Sequence, residues 1–221
     1  EINTPIGVGV TASSNLKELT MNFLDGYRKG LFTTDEISEY LMDIEESSEI
    51  IHKNLERAAS LIRNFKMVST DQTELVRRDI PLKQYIDEIL LSLRPRIRAG
   101  KHEVLLQCDE TVVIKTYPGA LAQIMTNLMM NAVTHGFGER RNGTVTIDAK
   151  VEGDQCEIRF SDNGAGMAYE TMTRIFDPFF TTKRGQGGTG LGMYIVYNIV
   201  TQQLAGTIEC QSEKGEGTTY L

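Results

Sequence analysis

Between residues 34 and 68 the apolar positions Ile37, Leu41, Ile44, Ile51, Leu55, Ala58, Ile62 and Phe65 follow alternating steps of three and four, with Ser48 filling the one gap. A seam of that period predicts a long helix packed in coiled-coil fashion. The stretch 2–26 is also expected to be helical. The turn formers Asp25-Gly26-Tyr27-Arg28-Lys29-Gly30 separate the two helices. Thr33, followed three residues later by Glu36, predicts a capping box that opens the second. The first third therefore reads as a helical hairpin. Two helices bury little surface alone and two hairpins make a four-helix bundle, so a homodimer is expected.

From about residue 79 the pattern changes. Helices are expected over 82–98 and 117–137, and short strands over 102–107 and 111–115 with a Cys108-Asp109-Glu110 turn between them. Residues 144–151 alternate with period two, as a half-buried strand should, and 156–160 repeat that alternation after a Glu152-Gly153-Asp154 turn. A glycine-punctuated segment follows, then a helix over 191–204 and strands around 207–211 and 218–221. Helices mixed with mostly antiparallel strands predict an α/β sandwich with helices on one face of a mixed sheet. The expected organisation is α+β, with domains at 1–78 and 79–221.

Composition narrows the classes. The 221 residues are 40% hydrophobic and 24% charged, enough apolar material for a packed core. With 23 Lys+Arg against 30 Asp+Glu the net charge is −7, which argues against nucleic acid as a partner. Cys108, Cys156 and Cys210 are widely spaced and form no C-x-x-C pair, so neither a disulfide framework nor a zinc site is indicated and a reducing cytosol fits. No apolar run approaches the ~20 residues that span a bilayer. The start at Glu1 carries neither an initiator Met nor a signal pattern, so the chain is read as a piece of a larger protein, with any membrane segment outside it.

Candidate chemistry lies in four islands of the second domain. Asn127, Asn131 and His135 are spaced by four along one helix stripe, bordering the apolar stripe of Leu121, Met125, Leu128 and Ala132. Asn is a poor helix former, and an amide oxygen suits a magnesium ion held mainly by phosphates and water, although a solvated polar face accounts for the stripe equally well. Asp162-Asn163-Gly164-Ala165-Gly166-Met167 follows a strand, where a carboxylate could accept from the exocyclic amine of a purine and glycines let backbone approach a ring. Phe176-Asp177-Pro178-Phe179-Phe180-Thr181-Thr182-Lys183 runs into the glycine-rich stretch 184–193, as in a mobile flap ending at a helix N-terminus. Gly185 and Gly190 have the Walker A separation, but Leu191-Gly192 stands where Lys-Ser/Thr must follow. A Rossmann fingerprint is disfavoured because no strand precedes the glycines. Gly215-Glu216-Gly217-Thr218-Thr219 closes the set as a hairpin turn.

Taken in order, N-x-x-x-N, D-N-G-A-G-M, F-D-P-F-F-T-T-K, G-G-T-G-L-G-M and G-E-G-T resemble the N, G1, F, G2 and G3 boxes of sensor histidine kinases. The resemblance covers about 79–221 and implies the Bergerat fold shared with gyrase B, Hsp90 and MutL ATPases. Glu1-Ile2-Asn3-Thr4-Pro5 at the head of the hairpin resembles the H box, H-E-x-x-x-P, of the dimerisation and histidine-phosphotransfer domain. The implied cofactors are ATP and Mg2+. Asp162 would take the adenine amine, Asn131 would ligate magnesium with Asn127 in support, and Gly164 and Gly166 would shape the adenine pocket. The segment 187–192, including Gly188, Thr189, Gly190, Leu191 and Gly192, would close over the phosphates, and Lys183 would add positive charge. Phe179 and Phe180 would position that lid against the helical domain, and Thr218 of the last box joins the cofactor set. Glu1 would be the general base beside the acceptor histidine, and Thr4 would orient water in a phosphatase reaction.

Two departures stand out. The acceptor histidine of the family would immediately precede Glu1, and His52 and His102 are read as surface or packing residues rather than substitutes. Thr134 stands where the family often has Lys or Arg, and the neighbouring His135 would share that role. The resemblance implies autophosphorylation on histidine and transfer to the aspartate of a response-regulator receiver domain, in the cytoplasmic portion of a membrane-anchored bacterial sensor. If no histidine precedes Glu1, the alternative is an ATP-binding dimerisation scaffold without phosphotransfer.

Overall fold

Thr33 and Glu36 cap the second helix reciprocally: the Thr33 backbone N–H donates to Glu36 Oε2 at 2.8 Å and the Glu36 N–H donates to Thr33 Oγ1 at 3.3 Å. Two orphan donors are thereby satisfied, and the Thr33 N–H, together with the Thr33 hydroxyl that donates to the same Glu36 Oε2 at 2.8 Å, holds the Glu36 carboxyl below its ordinary pKa. The structure, a computed structural model, describes residues 3–30, 33–69, 76–153, 155–183 and 188–221. The chain divides into two compact units, 1–69 and 70–221. Glu1 and the lid residues 184–187 lie outside the described residues.

The first unit is a hairpin of α1 (Asn3–Arg28) and α2 (Thr34–Ser69). Helix α1 runs through the expected break at Gly26 and stops at Gly30, whose φ of 66° only glycine adopts freely. Its covered positions are Pro5, Gly9, Ala12, Leu16, Leu19, Thr20, Phe23 and Gly26. The matching stripe of α2 differs from the expected seam. Ile37, Tyr40, Ile44, Ser47, Ile51, Asn54 and Ala58 are covered, whereas Leu41, Ser48, Leu55 and Ile62 are exposed. Tyr40 explains the choice, because its ring stacks on Phe23 with centroids 3.9 Å apart and its hydroxyl donates to Thr20 Oγ1 at 3.0 Å. The apolar stripe of α2 is wider than one neighbouring helix can cover.

The second unit starts with β1 (Arg78–Pro81), a short strand that the alternation did not show, paired antiparallel with β3 (Val113–Thr116) in a two-stranded sheet. Four residues with one buried apolar side chain, Ile80, carry no readable period. The main sheet has the order β2-β4-β5-β7-β6. Strand β2 (Glu103–Cys108) runs parallel to β4 (Thr144–Glu152), and β5 (Gln155–Asp162), β7 (Gly217–Tyr220) and β6 (Cys210–Glu213) follow in antiparallel pairs. One face carries Val145, Ile147 and Phe160, all fully buried against α3 (Leu82–Ala99), α4 (Pro118–Asn131) and α6 (Gly192–Asn198) through Leu82, Ile86, Met125, Met129 and Val196. The expected helix over 117–137 is α-helical only to Asn131, and Ala132–Phe137 widens into a π-helix. Helix α6 likewise continues as a π-helix over Ile199–Gln203, and a one-turn α5 (Tyr169–Met172) precedes the lid.

The cysteines are free, with Cys156 exposed and Cys108 and Cys210 half-buried. Burial pushes the Cys210 thiol up to about 12. Among the described residues no helix is long and apolar enough to cross a membrane.

Candidate functional site

Strand β5 delivers Asp162 to the helix-covered face of the sheet, where it is only 8% exposed. Its Oδ1 accepts the Gly164 N–H at 2.8 Å, and a second backbone bond comes from Thr218 on β7. Burial raises the carboxyl pKa, and these two bonds, which favour the charged form, oppose it. Among the described residues no ion pair joins Asp162, so a buried carboxylate stands without a cation.

The turn after Asp162 is pinned on two sides. Ala165 donates to the Gly136 carbonyl at 2.8 Å, and Gly215 donates to the Ala165 carbonyl at 2.7 Å. A Cβ at 164 would lie 2.6 Å from the Gly136 carbonyl and one at 166 would lie 1.9 Å from the Glu213 carbonyl, so both positions require glycine. Gly136 lies in the last turn of the helix, where carbonyls have no partner within the helix and accept from outside it. His135 is half-buried beside Lys183, and burial first, then the Lys183 charge, lower its pKa. Lys183 donates from Nζ to the Thr134 carbonyl.

Asn127 and Asn131 meet at the start of α6. A Cβ at 192 would lie 3.3 Å from Asn127 Oδ1 and 4.0 Å from Asn131 Oδ1, so the backbone of Gly192 closes on both amides. Asn127 Nδ2 is buried with no hydrogen-bond partner, an uncompensated polar group of the kind that a ligand satisfies. Leu191 is buried just before the helix, and its N–H donates to Thr189 Oγ1 at 3.4 Å. Gly188 and Gly190 pack closely on residues 179–183. A Cβ at 188 would lie 2.5 Å from Thr181 Oγ1, and one at 190 would lie 2.4 Å from the Phe179 carbonyl carbon. Phe179 is held at φ 64° with its side chain 40% exposed, while Phe180 lies half-buried under the Arg174 guanidinium, 4.5 Å from the ring centroid. Thr218 is buried opposite Asp162 in the ladder.

Asp162, Gly164 and Thr218 lie together, and Asn127 and Asn131 lie against Gly192, all within the second unit. Thr4 lies exposed in the first turn of α1 in the other unit, with Pro5 beside it buried. His52 is exposed beside Glu56. His102 stacks on Phe137 with centroids 4.4 Å apart, and its Nδ1 accepts the Gly143 N–H at 3.1 Å. Several supporting residues escape sequence reasoning. Arg140 donates to the Asn163 carbonyl at 2.7 Å, and Asn163 Oδ1 accepts the Thr144 N–H at 2.8 Å, which holds the turn to β4. Gly136 hides inside a helical pattern, and Arg140 carries no local signal.

A mixed sheet with helices on one face, a buried aspartate beside a glycine turn and glycines 188, 190 and 192 leading into α6 define the fold of an ATPase domain. Residues 116–221 match the family described as Histidine kinase-, DNA gyrase B-, and HSP90-like ATPase. The chain is 40% identical over 177 residues to the sensor histidine kinase ZraS of Salmonella typhimurium, covering 79% of this chain and 37% of ZraS. It is 33% identical over 186 residues to the sensor kinase CckA of Brucella abortus, covering 77% of this chain and 19% of CckA. The catalytic domain of histidine kinase ThkA shares the fold with a TM-score of 0.58 at 24% identity, over 66% of this chain and 95% of that one. Acinetobacter baumannii histidine kinase AdeS does so with a TM-score of 0.59 at 21% identity, over 95% and 93%. The chain belongs to the histidine kinase family. It spans less than two fifths of the length of the curated relatives it matches, 37% in ZraS and 19% in CckA.

Proposed function

We propose that this chain is the kinase core of a two-component sensor, which uses Mg·ATP to phosphorylate a histidine and passes the phosphoryl group to the aspartate of a response-regulator receiver domain. The observation that carries the reading is Asp162, a buried carboxylate with two backbone donors and no cation, which is suited to the amine of adenine. The unpartnered Asn127 Nδ2 and the glycine cradle at 164, 166 and 192 fit a nucleotide as well.

When bound, the nucleotide and its magnesium supply the phosphoryl group and the neutralising charge that its transfer needs. Asp162 accepts the amine, Gly164 and Gly166 give room to the ring, and Thr218 completes the floor. The Asn131 amide oxygen holds the metal, with Asn127 in support. Lys183 and His135 face the phosphates, and Gly188, Thr189, Gly190, Leu191 and Gly192 close over them while Phe179 and Phe180 carry the lid. Glu1 takes a proton from the acceptor histidine that the H box sets immediately before it, which makes the imidazole more nucleophilic. Thr4 orients water when the core works as a phosphatase on its regulator. The uncovered Leu41, Leu55 and Ile62 on α2 support a homodimer through the helical unit. The relatives named as sensor kinases support a cytoplasmic place below a membrane anchor carried elsewhere in the protein.

The test incubates the full-length native protein with Mg·[γ-32P]ATP. Acid-labile, base-stable label that vanishes in Asn131→Ala is expected. Binding of ADP without any such label would overturn the kinase reading in favour of an ATP-binding scaffold.

A further inference from the structure

Ser212 lies on β6, outside every sequence box, yet its hydroxyl joins two backbone groups and one side chain of the pocket. Its oxygen accepts the Met167 N–H at 2.9 Å, it donates to the Gly217 carbonyl at 2.7 Å, and Thr218 Oγ1 stands 3.0 Å away. The polarity of this network is forced. A backbone carbonyl only accepts and a backbone N–H only donates, so the single hydroxyl hydrogen of Ser212 is committed to Gly217. The third contact then closes only if the Thr218 hydroxyl donates to Ser212 Oγ. With its hydrogen engaged there, Thr218 Oγ1 can only accept from any other group. Thr218 is the ladder partner of Asp162, and the two are 7% and 8% exposed. The side chains on this part of the floor therefore offer acceptors alone.

We infer that Ser212 is a specificity-determining positioning residue: by taking the Thr218 hydroxyl hydrogen it keeps the floor acceptor-only, so the pocket takes a base with an exocyclic amine and rejects one with a carbonyl in its place. The inference rests on the proposal that this pocket holds an adenine nucleotide. Removing the Ser212 hydroxyl frees Thr218 to turn and donate. It also releases the Met167 N–H and the Gly217 carbonyl, so a general loosening has to be told apart from a change of polarity.

The ratio of two affinities makes that distinction. ADP and inosine diphosphate, which has a carbonyl at the amine position, are titrated calorimetrically into the native protein and into Ser212→Ala, Ser212→Cys and Ser212→Thr. Ser212→Ala is expected to weaken ADP by about two- to tenfold, the size of one lost hydrogen bond, while inosine diphosphate weakens less or tightens. The preference for ADP then shrinks several-fold, and Ser212→Thr, which keeps the hydroxyl, restores it. Should Ser212→Ala not fold, the nearly isosteric Ser212→Cys carries the same expectation. Equal weakening of both nucleotides, with the ratio unchanged, would reduce Ser212 to a structural role and overturn the inference while leaving the pocket intact. Native protein that binds neither nucleotide would overturn the adenine reading, and this inference with it.

Discussion

A methyl group at position 217 would lie 2.0 Å from the carbonyl oxygen of Asp162, closer than non-bonded atoms can approach. Gly217 has a φ of 95°, and Gly215, two residues earlier, has a φ of 94° with open space around it. The pair separates backbone strain from steric exclusion. Gly215→Ala is expected to cost about 1–2 kcal/mol from left-handed backbone alone. Gly217→Ala should cost at least about 2 kcal/mol more, because the β5–β7 ladder must open to admit it. Urea denaturation of the two variants measures the difference, and equal losses would mean that the ladder shifts freely.

Nucleotide affinity should report the protonation of Asp162. Its carboxyl pKa is raised by burial, so ADP affinity is expected to fall on acidification at a pH above the ordinary aspartate value of 3.8. Asp162→Asn should bind ADP about ten- to a hundredfold more weakly through loss of a charge-assisted bond, with no remaining dependence over that window. Titration calorimetry at stepped pH values decides it. An unchanged pH profile in the variant would assign the proton elsewhere.

Two histidines bias stability towards neutral pH. His102 and His135 both titrate below the ordinary 6.5, each mainly because burial disfavours the charged ring. The unfolded chain therefore binds more protons than the folded one, and stability declines as the pH drops from 6.5 towards the lowered values. The His102 bond sharpens the point, since protonating Nδ1 removes the acceptor for the Gly143 N–H. Asp162 acts in the opposite sense over a more acidic window, its raised pKa favouring the folded state as the pH falls. Melting temperatures of the His102→Asn, His135→Gln double variant should vary less between about pH 7 and 5 than those of the native protein. An equally steep profile would contradict this account.

The stripe that α1 leaves uncovered should govern assembly. Leu41 and Leu55 are 58% and 55% exposed, and a glutamate at each would have to be buried in any helical interface formed there. The Leu41→Glu, Leu55→Glu double variant is expected to halve the mass measured by light scattering, with helical circular dichroism retained. A native protein that is already monomeric at micromolar concentration would refute the dimer.

The legible parts of the fold are those with long, uniform periods. The helix expected at 82–98 is Leu82–Ala99, and the alternating run expected at 144–151 is Thr144–Glu152. Three features were hidden for physical reasons. Strand β1 has a single buried side chain, and the last hairpin is shorter than expected at its open end, with strands over Cys210–Glu213 and Gly217–Tyr220, because Glu209 and Leu221 pair outside its regular part. The π-helix at Ala132–Phe137 is invisible to a 3.6-residue period. The covered stripe of α2 shares Ile37, Ile44, Ile51 and Ala58 with the expected seam, and Tyr40, a half-polar residue, packs on α1 in place of Leu41. Around the site, motif residues could be named from spacing and resemblance. Ser212 and Arg140 could not, because each acts through backbone groups brought close only by the sheet order.

That order also sets when the pocket can exist. Strand β5 lies between β4 and β7 and does not touch β6, the strand that follows it in sequence, and the hydroxyls of Ser161 and Thr219, which touch across the β5–β7 ladder, are 58 residues apart. On a ribosome, β2, β4 and β5 can pair while the lid and α6 are still being made, leaving Asp162 on an open strand edge. Closing so long a loop is entropically slow, so docking of the final hairpin is a natural late step in folding. Nucleotide would then be recognised only by a chain that has completed its sheet, which makes ligand capture a checkpoint on synthesis as well as a step in catalysis.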